Sequence, residues 1–213
     1  MQNFFFFVGC FIIGQAIARC ILPILHVLAQ AIIIAFVSVV ERRRFGSTME
    51  DFIKNISGQP CEHIAIFNAR GKRILGIGSG NSRHVMISPL AARYCRLRKG
   101  KIAVHNHPDL DTPFSRDDII TSSLLGLEEH IVVTEAYRYY VRPRHNWGDQ
   151  ATIRDVFSRH VGLMRIEESI EICFGNGKSL TLPVRSCNTH EAMELIAAEL
   201  DYEYGRETLE IFL

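Results

Sequence analysis

The sequence predicts a mixed α/β domain carried behind a hydrophobic membrane segment. Three observations predict it. Residues 4–40 are almost entirely apolar. From 46 to 147, β-branched and aromatic runs alternate with helix-start and turn signals, the pattern of strands and helices sharing one core. From 148 to 213, a hairpin signal precedes an amphipathic helix and a terminal apolar run, which reads as a small C-terminal ββαβ extension.

The chain has 213 residues and a net charge of +1, so no global charge argument points to nucleic acid. The charge is unevenly placed. Residues 63–104 carry nine Lys or Arg and no acid, whereas 167–213 carry ten acids and three bases. Such blocks are solvated faces or a partner surface. The six cysteines show no CxxC pair and no regular spacing, which excludes a disulfide framework and a cysteine zinc knuckle. Scattered thiols suit a reducing compartment.

Residues 20–40 form 21 positions without a formal charge, enough to cross a bilayer core of roughly 30 Å. The run ends at Glu41-Arg42-Arg43-Arg44, and arginines just beyond a span favour the cytoplasmic side. The expectation is a membrane anchor over 1–45 with the following domain facing the cytoplasm, or a cytoplasmic protein if the tract is not a true span. The shorter run 4–18 reads as a re-entrant turn, an interfacial helix or an extension of one tilted helix. A cleaved signal peptide fits poorly, because no basic residue precedes the tract. Pro23, His26 and Gln30 lie inside the proposed span.

Met49, Phe52, Ile53 and Ile56 outline a short amphipathic helix. Residues 62–67 read as a strand, 68–71 as a turn and 72–76 as its return. Val85-Met86-Ile87 has strand character. Ser88-Pro89 starts a helix expected to reach about Leu97. Residues 101–104 form a strand, 116–125 a helix ending near Gly126, and 130–134 and 137–141 two further strands. Beyond 148, a helix over 151–160, a hairpin of 169–173 and 179–184, a helix from Asn188-Thr189 and a strand over 208–213 complete the chain.

The chemistry concentrates at His105-Asn106-His107-Pro108. Side chains at i and i+2 of a strand share a face, so both imidazoles can reach one ion. Ser115 follows His107 after seven residues, and Asp118 comes three positions later. A helix opening at Ser115 brings Asp118, or its neighbour Asp117, back over the pair. Two histidines, a carboxylate and an open fourth position are the parts of a catalytic zinc site. Ser115-x-x-Asp118 equally fits an ordinary helix cap. Such a site needs a base, and Glu62 is the only acid between Asp51 and the histidines. His63 points to the opposite strand face. His130, His145, His160 and His190 read as surface or helix-end residues, and Trp147 as a packing residue.

The set Glu62, His105-x-His107, seven residues, Ser115, two residues, Asp118 resembles the motif of the JAMM (JAB, MPN-plus) metalloproteases. The His-Asn-His-Pro form is similar to that family's bacterial RadC-type branch. The resemblance spans roughly residues 55–142. It implies a JAMM/MPN-like fold over 46–147, with a mixed β-sheet flanked by helices. It also implies Zn2+ held by His105, His107 and Asp118, Glu62 as general base, and Ser115 as hydrogen-bond donor to the oxyanion. The activity implied is hydrolysis of peptide or isopeptide bonds, with protein substrates such as ubiquitin-like or sulfur-carrier-like tails. The alternatives are a RadC-like module associated with DNA and a non-catalytic scaffold. The region 148–213 reads as a generic α+β extension or a shortened β-grasp.

Overall fold

The computed structural model describes residues 2–79, 89–108, 112–160, 167–173, 179–185 and 189–209. The strand expected at 85–87 and the turn at 174–178 lie outside them. The apolar N-terminus forms one continuous helix, α1 (Gln2–Phe45), rather than two elements. Its portion Ile21–Phe45 is long and apolar enough to cross a membrane by length and composition. Leu22, Ile24, Ile32 and Phe36 on it face outward. His26 and Gln30, one turn apart, bond to each other at 2.8 Å.

The helix does not end in a linker. Ser38, Glu41 and Phe45 are buried against the domain. Phe45 packs edge-on to Phe52 of the short helix α2 (Met49–Ile56), with ring centroids 5.9 Å apart. Thr48 caps α2, accepting from the Asp51 backbone N–H at 3.1 Å.

Six strands form the main sheet: β1 (His63–Asn68), β2 (Arg73–Ser79), β3 (Lys101–Asn106), β4 (Glu129–Val133), β5 (Tyr137–Pro143) and, last in the chain, β8 (Tyr202–Thr208). Their spatial order is β2-β1-β3-β4-β5-β8. The β3–β4 pair is parallel, and the other four pairs are antiparallel. A parallel pair needs a crossover, supplied here by α4 (Arg116–Leu125). The helices α3 (Pro89–Arg96), α5 (Gln150–His160) and α6 (Thr189–Glu199) complete the helical set. A separate two-stranded sheet joins β6 (Glu167–Cys173) to β7 (Ser179–Arg185).

The sheet is buried on both faces. One face holds Ile66, Ala103, Ile119, Val132, Ile153 and Met193, with α3 to α6 above it. The other holds Ala65, Phe67, Val104 and Ile131 beneath Phe45 and α2. Near-continuous burial of β1 and β4 follows from this double covering.

The ββαβ order of the C-terminal region is present, with its last strand in the main sheet. β8 lies antiparallel to β5 with Tyr140 opposite Gly205, and α5 and α6 pack into the main core. Of the terminal strand expected at 208–213, residues 210–213 lie outside the described residues, and β8 occupies Tyr202–Thr208. It is an edge strand, so its charged residues face solvent and blur the apolar alternation. Phe45, at the end of α1, belongs to the second core cluster.

Candidate metal centre

The site grows from the C-terminal end of β3. The strand runs through His105 and Asn106, two residues beyond its expected end. His105 shares a face with Ala103 and points to the helical side, while Val104 points to the other. His107 continues the ladder, its N–H donating to the Val133 carbonyl at 2.9 Å. Residues Thr112 to Phe114 then lead to α4. Ser115 caps this helix in a reciprocal box with Asp118. The cap turns the Asp118 side chain back over the histidines.

His105 Nε2 lies 3.0 Å from His107 Nε2, and 3.5 Å from Asp118 Oδ1. His107 Nε2 lies 3.7 Å from Asp118 Oδ2. One ligand atom from each residue falls within 4.8 Å of the others, so the group could hold a metal ion.

The donor set fits a cation. His107 Nδ1 faces the Thr112 carbonyl oxygen at 2.9 Å. A carbonyl only accepts, so Nδ1 carries the proton and a neutral ring presents its lone pair at Nε2. His105 Nδ1 lies 2.9 Å from His130 Nε2, again leaving Nε2 toward the centre. With a carboxylate beside them, electron-pair donors converge and a positive charge is needed among them.

The same crowding shows in acidities. Burial disfavours the charged form of His105 and takes its pKa well below the ordinary value. Burial acts likewise on His107, but the hydrogen bond and charge of Asp118 outweigh it and raise its pKa. Burial pushes the Asp118 pKa up, yet the charges of His105 and His107 prevail and hold it well below the carboxylate range.

Glu62 immediately precedes β1. Ile64 pairs directly opposite His105, which places Glu62 two residues on along the same face, level with His107. Glu62, His105 and Asp118 line one cavity of about 300 Å³, with Ile64, Ala92 and Leu125 as apolar wall. Asn106, between the histidines and pointing the other way, holds this segment. Its Oδ1 accepts from the His63 N–H at 2.7 Å, and its Nδ2 donates to the Cys61 carbonyl at 3.1 Å. Glu62 is thus gripped on both sides.

The expected residues therefore meet: His105, His107 and Asp118 as a triad, Glu62 in the same cavity, and Ser115 beside Asp118. Ser115 Oγ donates to Asp118 Oδ2 at 2.6 Å, so its hydroxyl is engaged by the Asp118 carboxylate. Asp117 is exposed and pairs with Arg116 at 3.3 Å, outside the triad. His63 stacks on Phe45 on the far face, at 4.4 Å between ring centroids. Trp147 is buried and donates to the Leu127 carbonyl at 2.6 Å, a packing role.

His130 was expected at the surface and is instead 1% exposed, next to His105. Asn106 and Ser122 were not expected to contribute. The signal for Asn106 and His130 was faint: a polar residue inside a strand run, as at Val104-His105-Asn106 and Glu129-His130-Ile131, is the mark of a buried partner. No protein-family model, curated protein or solved structure matches the chain, so the functional reading rests on its own residues.

Proposed function

We propose that the chain is a zinc-dependent hydrolase of peptide or isopeptide bonds, held at a membrane by α1, and that it resembles the JAMM metalloproteases in function as in motif. The observation that supports this reading most is the convergence of His105, His107 and Asp118 with Glu62 lining the same cavity. A tetrahedral zinc ion bound at about 2.0–2.1 Å keeps its ligand atoms roughly 3.3 Å apart. The His105–His107 Nε2 separation of 3.0 Å and the His105 Nε2–Asp118 Oδ1 separation of 3.5 Å bracket that value.

When bound, zinc supplies a water of pKa near ~7 and a Lewis acid for the scissile carbonyl. Glu62 accepts the proton of the attacking water and delivers it to the leaving amine. His105 and His107 present their Nε2 lone pairs, and Asp118 supplies one negative charge. Ser115 orients Asp118 in the resting site, and rotation of its hydroxyl away from Oδ2 frees it to donate to the oxyanion. The substrate class is a protein with an extended tail, ubiquitin-like proteins included. Arg42, Arg43 and Arg44 at the end of α1 favour a cytoplasmic domain.

A DNA-associated module is the second reading, based on the basic stretch 63–104. Two of its nine cations, Arg73 and Lys101, are buried, which thins the basic surface available to phosphates. Lys101 donates to the Cys95 and Leu125 carbonyls at 2.5 and 2.6 Å, tying the ends of two helices.

The test uses the full chain in detergent. Metal analysis is expected to find about one zinc per chain, lost in His105→Ala. A panel of ubiquitin-like fusions is expected to be cleaved, with cleavage abolished by a chelator. Glu62→Gln is expected to retain zinc and lose activity by about 10²-fold or more. A chain that binds no zinc, or a Glu62→Gln variant of full activity, overturns the proposal.

A further inference from the structure

We propose that His130 is a positioning residue that fixes His105 in the one tautomer able to bind a metal ion. It acts through a chain of ordered protons anchored on the backbone of Asp118. The inference rests on the metal-centre reading above and adds what sets the orientation of that centre's buried ligand.

The Asp118 carbonyl oxygen can only accept, and Ser122 Oγ donates to it at 2.8 Å. That bond uses the hydroxyl's single proton. The contact of Ser122 Oγ with His130 Nδ1, at 2.6 Å, then requires the proton to sit on Nδ1. A neutral imidazole with Nδ1–H has its lone pair on Nε2. His130 Nε2 therefore accepts, and His105 Nδ1, at 2.9 Å, donates. His105 is left with a lone pair on Nε2, facing His107 and Asp118.

The chain closes on itself. It begins at the backbone of Asp118 and ends at the nitrogen that would share an ion with the Asp118 carboxylate. Ser122, His130 and His105 are 0%, 1% and 4% exposed, so bulk water has little access to reorder their protons. The reversed order has Ser122 donating to His130 Nδ1 and His130 Nε2–H donating to His105. His105 would then carry its proton on Nε2 and could not be a ligand. A second-layer partner on a ligating histidine is the usual means of fixing its tautomer, and loss of such partners costs about 10–100-fold in metal affinity. Here the partner is itself a histidine, and a serine and a carbonyl remove its ambiguity.

The test has two readouts besides turnover, both on the full chain in detergent. Long-range 1H–15N spectra of histidine-labelled, zinc-loaded protein are expected to show His130 protonated at Nδ1 and bare at Nε2. The same spectra are expected to show His105 protonated at Nδ1. A proton on His130 Nε2 overturns the proposal. Zinc affinity, by competition with a chromophoric chelator, is expected to fall about 10–100-fold in His130→Leu. His130→Gln can accept from His105 through its amide oxygen and donate to Ser122 through its amide nitrogen. It is expected to stay within a few-fold of the unaltered chain. Equal losses in the two variants, or no loss in His130→Leu, overturn the proposal. Failure of the unaltered chain to take up zinc strikes the metal-centre reading itself, and so stands apart from these outcomes.

Discussion

Asn106 shows how one residue can serve two strands. It sits between two histidines that face the centre, so strand alternation sends it to the other face. There it accepts from His63 and donates to Cys61, clasping the peptide that carries Glu62. Asn106→Ala leaves a buried N–H without its acceptor, at a cost of about 1–3 kcal/mol. On the proposed reading it also loosens the base, and small misplacements of a reacting group can cost on the order of 10²-fold in rate. The expected result is a drop in kcat with zinc content unchanged, measured by kinetics and metal analysis on one preparation; a variant that loses zinc and rate together contradicts this division of labour. The triad itself was legible in the sequence because its spacing is local: a strand end, a loop and one helical turn fix it. Asn106, Ser122 and His130 were not, because what makes them matter is a partner brought close by the tertiary fold, which leaves at most a faint mark at the residue.

At the scale of elements, the helix α4 was readable to the residue. A serine cap with an acid at the third position opens it, and Gly126, in the left-handed conformation at φ 59°, closes it. β8 was not readable, because its partner determines its sequence. A Cβ on Gly205 would fall 2.5 Å and 2.7 Å from two ring carbons of Tyr140, and closer still to its hydroxyl. Only glycine lets the two strands approach there. Gly205→Ala is expected to destabilise the fold by about 1–3 kcal/mol, the usual range for overpacking. Tyr140→Leu in the same chain is expected to recover much of that loss. Chemical denaturation of the single and double variants checks this, and additive losses would mean that the contact is not the cause.

For the molecule as a whole, the core and the end of α1 meet beneath the sheet. His63 lies there, against Phe45 at the end of α1. Burial, with Arg44 and Arg73 nearby, lowers its pKa from 6.5 to about 4. The unfolded chain therefore takes up a proton first as pH falls, and stability from this group is lost between about pH 6.5 and 4. His105 and His130, both kept neutral chiefly by burial, act in the same direction in metal-free protein. His63→Phe keeps a ring on Phe45 and removes the titration. Its denaturation midpoint is expected to fall less between pH 7 and pH 4.5 than that of the unaltered chain, and an identical fall would refute the assignment. The wider architecture carries one more consequence. Every residue assigned to hold or orient the ion lies within 101–133, on the parallel pair β3–β4 and its crossover helix. The base comes from elsewhere, at the start of an antiparallel neighbour. On the proposed reading, a single codon change at Glu62 would silence the reaction and leave the ion and the cavity in place. A catalyst and an inert receptor for the same tail are then one inherited substitution apart.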